Sequence, residues 1–306
     1  MAIVTLTMNP TVDMSTVAKR LLPDRKLRCE KPLLEPGGGG INVTRAVGKL
    51  GGEALALFPA GGTNGDLLTQ MLDREGVESR AIDIDGMTRQ NLTVREEAED
   101  HQYRFVMPGP ELSEAEWSRC LRTIEKLDPP PAYVVASGSL PPGVPDDFYA
   151  RLADRTRDAG IRLIMDTSGE PLRRVVDRGV FLIKPNVREI TDLMDVESQD
   201  ETAIEQAAEA MIEQCDCEYV VVSLGAAGAL LISDAGTSHV RSPTVPIRSK
   251  VGAGDSMVAG IALALERGED ITDATRFGVA AGASAVMTPG TELCRRETTE
   301  ELMKNI

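Results

Sequence analysis

Apolar residues fall in short runs at 3–6, 54–58, 133–136, 161–165, 181–183 and 219–222. Runs this short, rich in Val and Ile, suit strands covered on both faces. Between them lie segments with helical spacing, at 67–72, 113–127, 146–158 and 201–213, and a long one at 257–265. Two Ala-rich segments, 272–287 and 298–304, close the chain as further helices. Regular alternation of buried strand and helix predicts an α/β fold, a mainly parallel sheet sandwiched between helices. One region breaks the rhythm. Residues 88–94 and 102–106 alternate polar and apolar positions around an acidic tip at 96–100, the pattern of a hairpin. With residues 25–34, which also alternate, it is expected to form a small extra sheet, a lid over a site, a dimer surface, or both. No linker or low-complexity tract divides the chain, so one main domain, 1–306, with that lid is the expected organisation.

Composition narrows the function classes. A net charge of −15 argues against nucleic acid or an anionic membrane as partner. An anionic substrate would then need local positive charge. No apolar run approaches the roughly 20 residues that span a bilayer, and the first six residues read as a strand rather than a signal peptide. Five cysteines, an odd number, point to a reducing cytoplasm rather than a disulfide framework. Cys215 and Cys217 could supply two metal ligands, but only His101 and His239 exist to complete a set. With so few histidines, a carboxylate is the better candidate for a catalytic base.

The candidate chemistry centres on Gly252, Ala253, Gly254 and Asp255, the turn that delivers the chain into the helix over 257–265. Free N–H groups at a helix start converge on one positive spot, and glycines let the main chain approach an anion closely. A carboxylate beside such an anion hole suits a base that takes a hydroxyl proton while the hole holds a transferring phosphoryl group. Asp255 or Ser256 equally reads as a helix cap. Near the front, the glycines at 37–40 open a second helix, with Asn42 offering a donor and an acceptor to a polyhydroxylated ligand. The spacing is not a dinucleotide fingerprint, because Asn42 or Val43 stands where the third glycine belongs, and no P-loop is present. Asp13 is expected in the loop past the first strand, as a ligand contact or a turn residue. Arg89 and Arg104, on the hairpin, could meet a sugar phosphate. Asn186 and Glu189, three apart at a helix start, read either as oxygen ligands for a hard cation or as an N-cap with its capping box.

Taken together, the segments at 37–52 and 249–260, the run Lys184-Pro185-Asn186-x-x-Glu189 and the run Val222-Ser223-Leu224-Gly225 resemble the PfkB, or ribokinase-like, carbohydrate kinase family along the whole chain. Within it, Lys26-Leu27-Arg28-Cys29, the four glycines at 37–40, the segment 88–92 and the segment 103–109 are similar to the bacterial ribokinase-type 6-phosphofructokinases. The resemblance implies a three-layer α/β/α sandwich with a β lid that pairs two subunits into a homodimer. Asp255 would be the base and 252–255 the anion hole. It implies that Asp13, Gly38, Asn42 and Ser139 hold the sugar, with Lys26, Arg89 and Arg104 at its phosphate end. Lys184, Asn186, Ser223, Gly225 and Gly228 would line the ATP site, and Glu189 would organise Mg²⁺ through water. Carbonyls near Ser249 and Val251 would bind K⁺, with Glu292 standing where the family pattern has an arginine. The expected reaction is ATP-dependent phosphorylation of fructose 6-phosphate at its 1-hydroxyl. Gly39 and Gly40 leave the glycine turn uncharged, which disfavours the alternatives, fructose 1-phosphate and tagatose 6-phosphate. A non-catalytic sugar-phosphate or nucleotide sensor is the alternative of another class.

Overall fold

Tyr133 and Val135 pack on one side of the central sheet and Val134 and Ala136 on the other, because side chains alternate along a strand. The same division holds for Ile3 against Val4 and Leu6, and for Ile164 against Leu163 and Met165. Each strand is therefore apolar throughout and needs a helical layer on both faces. The computed structural model, which describes residues 2–197 and 200–306, supplies them.

In chain order the first half runs β1 (Ile3–Leu6), β2 (Thr11–Ala18), β3 (Leu33–Gly37), α1 (Gly39–Lys49), β4 (Ala54–Ala60), α2 (Gly62–Arg74), β5 (Ser79–Asp83), β6 (Arg89–Glu96) and β7 (His101–Phe105). There follow α3 (Glu114–Glu125), β8 (Tyr133–Ser137), α4 (Phe148–Asp158), β9 (Arg162–Asp166), α5 (Glu170–Val175), β10 (Val180–Ile183) and α6 (Val187–Leu193). The chain ends with α7 (Glu201–Gln214), β11 (Cys217–Ser223), β12 (Ala229–Ser233), β13 (Gly236–Val240), α8 (Ala253–Glu266), α9 (Ile271–Val286) and α10 (Arg296–Met303). The central sheet has the order β13-β12-β11-β10-β9-β8-β1-β4-β5 and is parallel except at β12 and β13. Helices α3, α4 and α7 cover one face, and α1, α8 and α9 the other. With every parallel strand pointing one way, the loops after β1, β8, β9, β10 and β11 collect at one edge, where open α/β sheets bind ligands.

A second sheet, ordered β3-β2-β6-β7, stands beside that edge. Two expectations are corrected here. Asp13 lies within β2, paired with Asn91, and not in a loop. Residues 25–34 are mostly irregular. Apart from the single bridge Ala18–Cys29, the strand begins only at Leu33. Pro23 and Pro32 bracket that stretch, and neither can donate to a ladder. The lid is thus built from 11–18, 33–37, 89–96 and 101–105. Its register puts Asp13, Ser15, Asn91, Thr93 and Arg104 on one face, since paired residues share a side.

Candidate active site

Gly252 caps α8 in the left-handed region, φ 76°, where a Cβ would strain the backbone and meet Leu293 Cδ2 at 2.4 Å. The first bond into the helix runs from Ser256 N to Gly252 O, 2.9 Å. The amides of Ala253, Gly254 and Asp255 precede it and are left for a ligand, at the positive end of a 14-residue helix. No side chain caps this terminus. The Asp255 carboxylate instead accepts from Asn42 Nδ2 at 2.9 Å, across the fold from the first turn of α1. The capping alternative fails on that geometry.

Asp255 is surrounded by other charges. Burial first, then the charge of Asp166, pushes its carboxyl up to about 6, against the Asn42 hydrogen bond and the Lys184 charge. Lys184, 4% exposed, lies 3.1 Å from Asp166 Oδ1, and a Cβ on Gly254 would come within 3.8 Å of its Nζ. Burial pulls this ammonium down, but Asp166, Glu189 and Asp255 outweigh it and hold it above its usual range. Lys184 therefore sits beside the N-terminus of α8 as a fixed positive charge. Burial also pushes Glu189 up, despite the Asn186 amide and Lys184. Asn186 and Glu189 form the complete capping box of α6, 2.9 and 2.8 Å. That commits one Glu189 oxygen. Three carboxylates facing one ammonium is a surplus of negative charge, and oxygen donors of this kind fit a hard divalent cation.

The front of the site is equally close-packed. Gly37 lacks the Cβ that would lie 2.1 Å from Asp13 Oδ2. Asp13 Oδ1 accepts from Asn91 at 3.0 Å. Burial pushes this carboxyl up, and Asn91, Thr11, Arg89 and Arg104 offset only part of that. Asn9 donates to Ser139 Oγ at 3.2 Å, while its Oδ1 is buried without a partner. Arg89 donates to the carbonyls of Asn9 (2.7 Å) and Met107 (3.0 Å) and keeps a buried Nε free. Between lid and anion-hole loop opens a cleft of about 820 Å³, lined by Arg95, Gln102 and Arg104 on one side and by 247–251, Pro289 and Gly290 on the other. Arg104, Arg248 and Lys250 give it the local positive charge that the chain as a whole lacks.

The sequence and its fold have close counterparts. A family model described as pfkB family carbohydrate kinase matches residues 3–298. The chain belongs to the pfkB family. It is 45% identical over 302 residues to ATP-dependent 6-phosphofructokinase isozyme 2 of Mycobacterium tuberculosis, covering 99% of this chain and 89% of that one. Against the Escherichia coli isozyme 2 the identity is 41% over 301 residues, covering 98% and 97%. Among solved structures, E. coli phosphofructokinase-2 in complex with potassium gives a TM-score of 0.94 at 40% identity, covering 99% and 98% of the two chains. Its complex with fructose-6-phosphate gives 0.92 at 39%, and a tetrameric inhibited form 0.93 at 39%, each with the same coverage.

The remaining expected residues divide. Ser223, at the end of β11, and Asn186, past β10, meet at an isolated bridge, and a short 3₁₀ turn begins at Gly225 and is closed by Gly228. That turn walls a slot of about 550 Å³, with Val187, Ile204, Leu230, His239, Arg241 and Ser242 around it. Its apolar members Val187, Ile204 and Leu230 read in the sequence as ordinary core, and no motif ties them to His239, Arg241 and Ser242. Asp166 was also missed: its Asp-Thr-Ser-Gly context reads as a turn, although its place at the end of a buried strand was a usable signal. Lys26 does not join the cluster. It is exposed on the irregular stretch and, among the described residues, has no hydrogen-bond or ion-pair partner. Ser249 Oγ donates to Gly290 O at 2.9 Å, whereas the Ser249 and Val251 carbonyls accept no hydrogen bond among the described residues. Two orphaned carbonyls suit a monovalent cation. Glu292 contributes nothing there, being paired with Arg295 at 2.5 Å.

Proposed function

We propose that this chain is an ATP-dependent 6-phosphofructokinase. It transfers the γ-phosphoryl group of ATP to the 1-hydroxyl of fructose 6-phosphate, giving fructose 1,6-bisphosphate and ADP, a glycolytic step. The observation that carries the reading is Asp255 itself, a desolvated carboxylate on the same turn as three free amides. A sensor has no use for a base at that point. The relatives' names, 6-phosphofructokinase isozyme 2, support the substrate.

In the proposed mechanism Asp13, Gly38, Asn42 and Ser139 hold the sugar, and Arg89 and Arg104 hold its 6-phosphate, with Lys26 on the neighbouring stretch. That leaves the 1-hydroxyl at Asp255. Asp255 accepts the hydroxyl proton as the oxygen attacks in line. The amides of 252–255 and the Lys184 ammonium stabilise the charge on the phosphoryl group in transit. The ATP phosphates extend from there past Lys184, Asn186 and Ser223, and the adenine ring lies by Gly225 and Gly228 in the slot. Mg²⁺ would be organised through water by Glu189 and would neutralise phosphate charge. K⁺ would be held by the carbonyls of Ser249 and Val251. A coupled ADP-release assay over free sugars and sugar phosphates tests the reading. Phosphate-dependent turnover supports it, and ATP binding without turnover on any of them would favour the sensor.

Two further expectations follow. Glu189→Gln removes one charge and little volume, so the Mg²⁺ concentration for half-maximal rate rises several-fold while the capping box, and hence folding, is kept. An unchanged titration would leave Glu189 a capping residue only. The lid also carries the chain's exposed apolar surface. Among the described residues, Leu33, Leu34, Tyr103 and Phe105 are exposed on its strands and Leu22, Leu27, Val106 and Met107 on the segments beside them, and the other exposed large hydrophobics are Met87 and Ile247. A patch of that kind marks an association surface, and we read it as the homodimer face. Activity per subunit should therefore fall on dilution in step with dissociation. A fully active monomer would contradict it. Five free thiols, Cys29, Cys120, Cys215, Cys217 and Cys294, support a reducing cytoplasm as its place of work.

A further inference from the structure

Asn42 is held from both ends. Its Nδ2 donates to Asp255 Oδ2 at 2.9 Å, and its Oδ1 accepts from an Nη1 of Arg45 at 3.3 Å. A carboxylate on one side and a guanidinium on the other leave the amide one orientation, because a flipped amide would set oxygen against oxygen and N–H against N–H. Arg45 lies nearly one turn further along α1 and is only 4% exposed. It is clamped in turn. Its Nε and Nη2 meet both oxygens of Glu75 at 2.7 and 3.0 Å, and Nη1 also donates to Pro36 O at 3.2 Å. Glu75 follows the last residue of α2, and Pro36 lies on the lid strand β3, just before the glycine turn. One guanidinium therefore joins the base's partner, the end of α2 and the root of the lid.

A buried charged pair is a poor way to gain stability, since an apolar side chain of similar length packs there at lower desolvation cost. What a bidentate guanidinium–carboxylate pair supplies is a fixed plane. Here that pair borders a cavity of its own. Glu75, 35% exposed, forms the wall of that cavity, of about 790 Å³, with Glu35, Lys49, Glu53, Glu78 and Glu292. Arg45 lines that same cavity, and among the described residues its hydrogen bonds run to Asn42, Pro36 and Glu75. Their effect on the reaction has to pass through Asn42 and the lid.

We propose that Arg45, braced by Glu75, is a positioning residue for the base: it locks the Asn42 amide with its N–H towards Asp255 and fastens that lock to the root of the lid. The inference rests on the reading of Asp255 as the base. Its test is a double-mutant cycle on the full-length protein, with Arg45→Met, Asn42→Ala, the double variant, Glu75→Gln and Asp255→Asn compared by kcat, KM for both substrates and thermal unfolding. Arg45→Met should lower kcat about tenfold or more with KM for ATP within about twofold, and Glu75→Gln should lower it about two- to fivefold. In the double variant the losses should not multiply: its kcat should lie within about twofold of that of Asn42→Ala, since no amide remains to be oriented. A wild-type kcat in Arg45→Met, or losses that multiply in full, would overturn the positioning role. If Arg45→Met does not fold, the same cycle is read with Glu75→Gln and its double variant with Asn42→Ala. Normal turnover in Asp255→Asn would instead remove the base reading itself, whatever the Arg45 variants do.

Discussion

Asp255→Asn should abolish most turnover and at the same time stabilise the protein. The substitution keeps the anion hole, the helix and an acceptor for Asn42, and removes only the ionisable group. General-base catalysis contributes about 10²–10⁴ in rate, so kcat should fall at least that far, with ATP affinity kept. The stability change has a definite sign. The folded carboxyl titrates at about 6, above its ordinary value. Its ionisation therefore costs nothing below about pH 4, costs progressively more from there to about pH 6, and costs the full amount above it. An Asn at 255 escapes that cost, about 1–3 kcal/mol at neutral pH, and Tm should rise by about 2–4 °C. In the wild type the same ionisation gates the reaction, so kcat/KM should decline as pH falls below about 6. Calorimetry and a pH–rate profile check both. A folded variant with near-normal turnover, or one less stable at pH 7 than the wild type, would return Asp255 to a structural role.

Lys184→Met should also cost about 10² or more in kcat, by removing the fixed positive charge that the proposed mechanism sets against the transferring phosphoryl group. Here stability should move the other way. Asp166 is 16% exposed and would lose its partner at 3.1 Å. Breaking a buried pair from one side costs about 3–5 kcal/mol. Asp255 loses an attractive charge as well, so the acid limb of the rate profile should shift to higher pH. Opposite changes in Tm for two inactive variants separate catalytic loss from damage to the fold. If Lys184→Met kept the wild-type rate with only a lower Tm, Lys184 would be a structural pair member and no more.

Much of the scaffold was legible because each central strand must be apolar on both faces. Runs such as 133–136 and 219–222 have no reading other than a covered strand or a buried helix, and their length decides between the two. The anion hole was legible from Gly252, Gly254 and Asp255 before an apolar helix. The lid was legible only at its hairpin. β2 carries a single fully buried apolar side chain besides its end residue, Val12, so the strand holding Asp13 looked like a loop. The alternation at 26–29 was too short to specify pairing and sits between prolines. Contacts across the fold were out of reach. Asn42 with Asp255, 213 positions apart, and Lys184 with Asp166 depend on the sheet's strand order, which no local pattern encodes.

The central claim is the choice of acceptor. In the proposed mechanism Arg89 and Arg104 hold the 6-phosphate at the lid end, so that the sugar offers its 1-hydroxyl to Asp255 at the other. Tagatose 6-phosphate, differing in one hydroxyl, mispairs a single polar group, a limited penalty. Fructose 1-phosphate has no free 1-hydroxyl to offer. The deciding measurement is kcat/KM for fructose 6-phosphate, fructose 1-phosphate and tagatose 6-phosphate under one set of conditions, with the product identified by NMR. The account predicts fructose 6-phosphate first, tagatose 6-phosphate slower, and fructose 1,6-bisphosphate as the product. A clear preference for either of the other two sugars would contradict it.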